Sequence, residues 1–285
     1  MSVQPAYVKG HIISKDGTRI GYRQMGKGPA VILVHGGMMA AQNFMELGSI
    51  LADEFTVYIP DRRGRGLSGG FGDNYSLLKD GEDMQALVRH AGAQNIFGLS
   101  SGAIITLQTA LLESSLKKVA VYEPPLPLPG IDHSRMNKKY DAALAKGDLA
   151  KAMISVIKGT GDPSFFTVLP AFITVPLMKA GSRNRKENQS DEDVPLAVLI
   201  PTFHYDRIIA GNAGDLIEKS KSIQADILLL DGTKSKKFLK QALNELAAAL
   251  PAAKRVELKG MGHLAASNGE NPAAVAKELR DFFKK

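Results

Sequence analysis

The chain has 285 residues, enough for one or two domains of roughly 100–200 residues each. Its formal charge is +7, but the basic residues are scattered and not interleaved with aromatic residues, which argues against nucleic acid as the functional partner. No apolar run approaches the roughly 18 residues that span a bilayer, no secretory signal opens the chain, and cysteine is absent, so we expect a cytoplasmic protein with no membrane span, disulfide, metal or cofactor.

The first elements in chain order are predicted strands. The opening stretch YVKGHIISKDGTRIGYRQMG reads as a β-hairpin whose turn is KDGT. Six apolar segments rich in β-branched residues follow, at 30–37, 55–61, 95–100, 117–123, 226–232 and 254–260. Uninterrupted apolar runs of this length are typical of parallel strands that are buried on both faces. With the hairpin counted, segment 117–123 is the sixth predicted strand.

Segments with helical length and spacing alternate with these strands. Residues 76–92 and 102–115 form two of them, and apolar residues recur at helical intervals from Phe238 to Leu250. Ser235 is expected to be the N-cap of that third helix. A proline at the start of PAAVAKELRDFF indicates a last helix. The pattern predicts an α/β fold, with a mostly parallel sheet flanked by helices and right-handed crossovers.

The alternation stops after the sixth predicted strand. The proline-rich segment EPPLPLPG can continue neither a helix nor a central strand. The residues beyond it are helical and loosely patterned, and they include the apolar stretch 165–178 and the polar stretch 181–195. We therefore predict a core made of residues 1–125 and 213–285, with residues 126–212 inserted as a helical cap or lid.

The motif GLSSG at residues 98–102 follows a predicted strand and opens a predicted helix. Gly98 and Gly102 lack a Cβ atom, so the chain can turn sharply and lift Ser100 out of the sheet at a helix N-terminus, where an oxyanion is stabilised. In this strand–turn–helix context the motif predicts that Ser100 is a nucleophile. The alternative is that Ser100 only caps the helix.

Three further motifs accompany the serine motif in a fixed order. They are LVHGG (33–37), DRRGRGLS (61–68) and GMGH (260–263). Together the four motifs resemble the α/β-hydrolase superfamily over nearly the whole chain except the cap. The resemblance implies an α/β-hydrolase fold with a helical cap after the sixth strand. It also implies an oxyanion hole made by the backbone N–H groups of Gly37 and Ser101.

A serine nucleophile of this family needs a histidine base and an acid. Of the six histidines, His263 is the one that follows a late strand in a glycine-flanked loop, so we expect it to be the base. The turn after the strand DILLLDG, where many family members carry the acid, holds no carboxylate. We therefore expect Glu123, at the end of the sixth strand, to be the acid, with Asp231 as the alternative.

A weaker resemblance connects the chain to the zearalenone-lactonase-like group. It rests on SSGA at residues 100–103 and on a serine near the usual acid turn, and that group also carries its acid after the sixth strand. A serine at position 100 excludes dehalogenases and epoxide hydrolases, which need an aspartate nucleophile. The expected reaction is hydrolysis of a carboxylic ester or lactone through an acyl-enzyme.

The expected partner is a small to medium apolar ester or lactone. The apolar residues of the cap indicate a hydrophobic pocket. Met38, Phe166 and Met178 are the candidate substrate contacts there. A small-molecule receptor on the same fold, or an acyltransferase, remains the alternative function. The sequence does not indicate an oligomeric state.

Overall fold

A central eight-stranded sheet organises the protein, for which a computed structural model describes residues 6–160 and 193–284. The strands are β1 (Val8–Ile13), β2 (Arg19–Met25), β3 (Ala30–Val34), β4 (Thr56–Pro60), β5 (Asn95–Leu99), β6 (Lys118–Tyr122), β7 (Asp226–Gly232) and β8 (Lys254–Leu258). Their order in the sheet is β1-β2-β4-β3-β5-β6-β7-β8. β1 pairs antiparallel with β2 and β2 with β4, whereas all the pairs from β3 to β8 are parallel.

The inner strands are buried on both faces, as their continuous apolar runs predict. In β3, Val31 and Leu33 pack on one face of the sheet, while Ile32 packs on the other. β8 is the exception, because three of its five residues are exposed and the other two are partly exposed. The prediction that this segment is buried on both faces is therefore wrong. β8 is one of the two edge strands of the sheet, and among the described residues only β7 pairs with it.

Helices cover both faces of the sheet. In chain order, the helices of the described residues are α1 (Met45–Leu51), α2 (Leu77–Ala91), α3 (Ser101–Leu112), α4 (Ser134–Ala145), α5 (Leu149–Thr160), α6 (Leu196–Leu199), α7 (Phe203–Asn212), α8 (Leu216–Ser220), α9 (Lys237–Ala249) and α10 (Pro272–Phe283). The apolar sides of α2, α3 and α9 pack against one face, and those of α1 and α10 pack against the other. This arrangement confirms the predicted α/β class.

The start of α9 differs from its prediction. Lys236, not Ser235, occupies the N-cap position, and no side chain in the described part of the chain caps the helix. Ser235 instead closes the preceding turn, where its N–H donates to the carbonyl of Gly232 at 3.1 Å. The turn after β7 takes one residue more than the sequence pattern suggested, and the helix therefore begins one residue later.

A helical cap is inserted between β6 and β7, as predicted. Its own small apolar cluster joins α4 and α5 to the segment that leads into α7 and consists of Tyr140, Ala143, Ala152, Val156, Ile200 and Phe203. The cap also rests on the core, because Ile209 of α7 packs into the main cluster on that face of the sheet. None of the helices described here combines the length and the hydropathy that crossing a bilayer would require.

Candidate active site

Ser100 lies on a sharp turn between β5 and α3. Its backbone has φ +57° and ψ −124°, a conformation that a residue with a Cβ atom rarely adopts. Crowding explains the glycines on either side, because a Cβ atom on Gly98 would lie 2.3 Å from the carbonyl oxygen of Gly102. A Cβ atom on Gly102 would lie 2.3 Å from the carbonyl oxygen of Val34. The turn holds Ser100 at the carboxyl end of the sheet.

Replacing Gly102 by alanine is expected to lower the free energy of unfolding by about 2 kcal/mol or more, because the added methyl group meets backbone atoms that cannot move aside. Urea denaturation followed by circular dichroism measures the change. Gly211→Ala is the matched control, since Gly211 is also helical but, apart from its own stretch of helix, no atom of the described residues lies within 4 Å of its Cβ position. That control is expected to be up to about 1 kcal/mol more stable than the wild type. Equal stabilities of the two variants would contradict the crowding argument.

His263 lies in the loop between β8 and α10 and contacts Ser100. Its Nε2 atom is 3.0 Å from the Oγ atom of Ser100. The loop brings the imidazole over the serine turn from the far side of β7, as the histidine motif GMGH suggested. The side chain is 10% exposed, so the ring is largely withdrawn from water while Nε2 faces the serine.

Glu123 contacts the other side of the imidazole. Its Oε2 atom is 2.7 Å from Nδ1 of His263, and its Oε1 atom accepts a hydrogen bond from the N–H of Gly232 at 2.9 Å. The side chain is fully buried, and the backbone has φ +47° directly after β6. Since a carboxylate can only accept, Nδ1–H donates to Glu123 and Nε2 is left to accept from Ser100.

Asp231, the alternative acid, contacts a different partner. It lies in β7, where its Oδ2 atom accepts a hydrogen bond from Arg255 of β8 at 3.0 Å. Within residues 6–160 and 193–284, its Oδ1 atom is buried without a hydrogen bond. Burial raises the pKa of Asp231 more than the neighbouring Arg255 lowers it. No hydrogen bond of the described residues connects Asp231 to His263, so the structure brings Ser100, His263 and Glu123 together without it.

Tyr122 supports the loop that carries His263, a role that the sequence motifs did not predict. Its hydroxyl donates to the carbonyl of Gly262 at 2.8 Å, and Gly262 immediately precedes His263. The side chain is fully buried. Tyr122 and Glu123 are adjacent in the chain, so the end of β6 holds both the backbone of the histidine loop and the imidazole. The one sequence feature that could have indicated this role is the position of Tyr122 directly before Glu123 at the end of β6.

The two residues expected to form the oxyanion hole flank Ser100 at the same cavity. Gly37 and Ser101 both line it, and Ser101 is the first residue of α3. His35 precedes Gly37 by two residues, and burial, then Arg65 and Arg62, lower its pKa well below the ordinary value. The ring is therefore neutral: Nδ1–H donates to the carbonyl of Gly36 at 3.0 Å, and Nε2 accepts from the N–H of Arg62 at 3.2 Å. These contacts give His35 a structural role within the motif LVHGG.

A buried carboxylate from the cap lies next to these residues. Asp206 of α7 accepts hydrogen bonds from Arg62 at 2.8 Å, from Arg65 at 3.0 Å and from the hydroxyl of Ser101 at 2.9 Å. Burial alone would raise the pKa of Asp206, but Arg65 and Arg62 outweigh it and lower the pKa to about 2. Two arginines of the motif DRRGRGLS, Arg62 and Arg65, therefore contact Asp206 of the cap. Nothing in the local sequence around Asp206 indicated this contact.

Two further polar residues of the motif DRRGRGLS, Asp61 and Arg63, stabilise the turn that the motif forms. Asp61 accepts hydrogen bonds from the N–H groups of Ala41 at 2.7 Å and Leu67 at 2.9 Å. Arg63 makes two hydrogen bonds to Asp83 of α2, at 2.7 and 2.6 Å. Paired contacts of this kind have a structural role, and they fix the loop from which Arg62 and Arg65 extend.

A cavity of about 150 Å³, partly open to solvent, lies above Ser100 between the core and the cap. Besides the residues already described, its walls are mostly apolar, and the described residues that contribute to them are Pro125, His133, Met136, Asn137, Phe203, Arg207, Ala210, Phe238 and Leu239. The cavity opens onto the serine, so a bound molecule can reach both Ser100 and His263.

Of the three candidate substrate contacts, the described residues include only Met38. Phe166 and Met178 lie outside the described residues. Met38 has φ +53° and packs against the apolar cluster of the cap, and it is not among the described residues that line the cavity. Within residues 6–160 and 193–284, no group of three or more histidine, aspartate or glutamate side chains is placed to hold a metal ion.

Comparison with known proteins gives one family and several relatives. The sequence matches the family model described as the alpha/beta hydrolase family over residues 31–278. A curated relative, the uncharacterized hydrolase YraK of Bacillus subtilis (strain 168), is 31% identical over 114 residues. The match covers 39% of this chain and 42% of YraK, so it spans less than half of that relative.

Solved structures resemble the protein over nearly its whole length. An alpha/beta hydrolase from Sphaerobacter thermophilus DSM 20745 is 29% identical and has a TM-score of 0.75, with 96% of this chain and 100% of that chain covered. The enol-lactonase from Burkholderia xenovorans LB400 is 19% identical and has a TM-score of 0.74, with 97% and 100% covered. At the lower identity the likeness is one of fold alone.

Proposed function

Because the chain belongs to the alpha/beta hydrolase family, we propose that it is a serine hydrolase that cleaves a carboxylic ester or lactone of a small to medium apolar substrate. The observation that carries this proposal is the continuous set of hydrogen bonds from Ser100 through His263 to Glu123 beneath the cavity. In it, Ser100 is the nucleophile, His263 the base and Glu123 the acid. The backbone N–H groups of Gly37 and Ser101 form the oxyanion hole.

The reaction begins when the Oγ atom of Ser100 attacks the substrate carbonyl while Nε2 of His263 takes the serine proton. The carbonyl π electrons move onto the oxygen, which becomes an oxyanion facing the two N–H donors. The tetrahedral intermediate collapses, the bond to the alcohol oxygen breaks, and His263 returns the proton to the leaving alcohol. In a lactone this alcohol stays attached to the acyl group.

Water completes the reaction by the same steps. His263 takes a proton from the water molecule, the resulting oxygen attacks the acyl-enzyme, and the acid product leaves as Ser100 regains its proton. Throughout, Glu123 holds Nδ1–H and balances the charge of the imidazolium that forms twice in each cycle. Full burial of the carboxylate strengthens this interaction, since little water competes for it.

The apolar side chains around the cavity support an apolar acyl or lactone portion. Pro125, Phe238 and Leu239 of the core line the cavity, and so do Met136 and Phe203 of the cap. Burial of apolar substrate surface there provides binding free energy of about 25 cal/mol for each Å². The division into a core of residues 1–125 and 213–285 and a cap of residues 126–212 belongs to the same proposal.

Covalent labelling tests the proposal. We expect diisopropyl fluorophosphate to add one phosphoryl group to the full chain, at the peptide that contains Ser100, and to leave the Ser100→Ala variant unmodified. Intact and peptide mass spectrometry measure both results. Rapid multiple turnover of p-nitrophenyl butyrate would separate an enzyme from a small-molecule receptor, and the free acid as product would separate hydrolysis from acyl transfer. An unlabelled wild type would contradict the proposal.

A further inference from the structure

Asn137 brings to the wall of the cavity a polar atom that has no hydrogen-bond partner among the described residues. It lies in the first turns of α4, on the side of that helix that lines the cavity with Met136. Its Oδ1 atom is shielded from solvent and accepts no hydrogen bond from any residue in 6–160 or 193–284. Buried acceptors of this kind are rare in folded proteins, because each loses its hydrogen bonds to water without replacement.

Two other polar side chains of the cavity wall, Asp206 and Arg207, already have charged partners. Asp206 is bound by two arginines and by Ser101. Arg207 is paired with Asp141, with Nη1 and Nη2 each 2.9 Å from a carboxylate oxygen. Because Asn137 lines the cavity, a bound molecule that reaches this acceptor can supply the donor that the described residues do not.

The surroundings of Asn137 restrict what that donor can be. Most of the cavity wall is apolar, so burying a cationic donor there would be costly. A neutral hydroxyl does not carry that cost. It also both donates and accepts, so it can pair with the carbonyl end or the amino end of the carboxamide.

We propose that Asn137 selects esters or lactones that carry a hydroxyl group away from the scissile carbonyl, which donates a hydrogen bond to Oδ1. This inference rests on the proposed function and adds a substrate class to it. The apolar walls bind the carbon chain of the substrate, and Asn137 accepts a hydrogen bond from its hydroxyl group. A site with a buried hydrogen-bonding group discriminates strongly against the analogue that lacks its partner, because the group is then left unpaired.

The test compares matched substrates and matched variants. The substrates are methyl hexanoate, methyl 3-hydroxyhexanoate and methyl 6-hydroxyhexanoate, whose hydrolysis is followed by titration of the released acid at constant pH. For the wild type we expect kcat/KM to be about tenfold higher for one hydroxy ester than for methyl hexanoate. The ratio is expected to fall to about one in Asn137→Leu, which has a similar volume, and to be kept in Met136→Leu, which changes a neighbouring apolar contact.

Two further measurements distinguish selection from a structural role. The Tm of Asn137→Leu is expected to equal or exceed that of the wild type, because the substitution removes an unpaired buried acceptor. Calorimetry of the same esters on Ser100→Ala needs no turnover, and we expect one hydroxy ester to bind about tenfold more tightly, with the preference lost in Ser100→Ala/Asn137→Leu.

The outcomes separate the inference from the proposed function. If the wild type hydrolyses none of the esters while the calorimetric preference is present, the proposed hydrolase activity fails and the selection by Asn137 stands. If hydrolysis occurs but every ratio and every binding preference is about one, the selection by Asn137 is wrong and the hydrolase stands. A lower Tm of Asn137→Leu with an unchanged ratio would show that Asn137 serves the fold.

Discussion

Replacing Glu123 by glutamine is expected to lower kcat for p-nitrophenyl butyrate by up to about 10,000-fold. The carboxamide has nearly the shape of the carboxylate, but its NH₂ group can donate to Nδ1 of His263. The imidazole would then carry its proton on Nε2 and could not accept one from Ser100. The lost negative charge would also leave the imidazolium unbalanced. Initial rates, with Ser100→Ala as the background, measure the effect.

Asp231→Asn is the matched control for this substitution. It makes the same chemical change in the other candidate acid, which contacts Arg255. We expect it to keep kcat within a few-fold of the wild type. Circular dichroism of both variants verifies that the fold is intact. Near-normal turnover of Glu123→Gln, or a loss of several thousand-fold in Asp231→Asn, would transfer the role of the acid to Asp231.

Replacing Asp206 by asparagine is expected to lower the free energy of unfolding by about 3–5 kcal/mol. The substitution leaves Arg62 and Arg65 buried without the carboxylate that both of them contact. Taking an arginine out of water is costly unless an opposite charge offsets it, so removing one carboxylate affects two cations. Urea denaturation at neutral pH measures the difference from the wild type.

Asp141→Asn is the matched control, because Asp141 also pairs with an arginine within the cap. Its side chain is 54% exposed, and exposed ion pairs contribute about 1 kcal/mol or less. We therefore expect little change in this variant. If Asp141→Asn and Asp206→Asn were destabilised equally, the cluster around Asp206 would not act as a buried ion pair.

The depressed pKa of Asp206 predicts how stability depends on acidity. Its pKa is 3.8 in the unfolded chain and about 2 in the folded protein, so the folded state holds the ionised form. The stabilisation is complete above about pH 5 and is lost as the pH falls from about 4 to 2, by up to about 2 kcal/mol. Urea titrations at pH 5, 4 and 3 should show this loss in the wild type. Asp206→Asn should lack that part of the dependence.

Local patterns in the sequence predicted much of the fold. The strands from Ala30 to Tyr122 lie within a few residues of their predicted bounds, because continuous apolar runs identify strands that are buried on both faces. The last helix spans Pro272–Phe283, as its initial proline indicated. The turn at Ser100 was also recognisable from the sequence. The two glycines that allow its geometry are only two residues away and belong to the same motif.

Properties that depend on neighbours in space were predicted less well. The burial of β8 was overestimated, because an apolar segment does not reveal whether it will be the edge of the sheet. The N-cap of α9 was placed one residue early, since the turn after β7 is held by hydrogen bonds to the loop after β8. The N–H of Lys234 donates to the carbonyl of Met261, and the N–H of Gly260 donates to the hydroxyl oxygen of Thr233. In both cases the deciding contacts come from another part of the chain.

The sequence by itself determined the α/β class, the serine turn and the histidine loop, because each depends on residues that are close together in the chain. Only the tertiary structure decided which carboxylate meets His263, as Glu123 and His263 are 140 positions apart. The same holds for the contact between Ser101 and Asp206, which are 105 positions apart. Such contacts depend on the packing of whole elements, which brings distant residues to one edge of the sheet and leaves no mark in the local pattern.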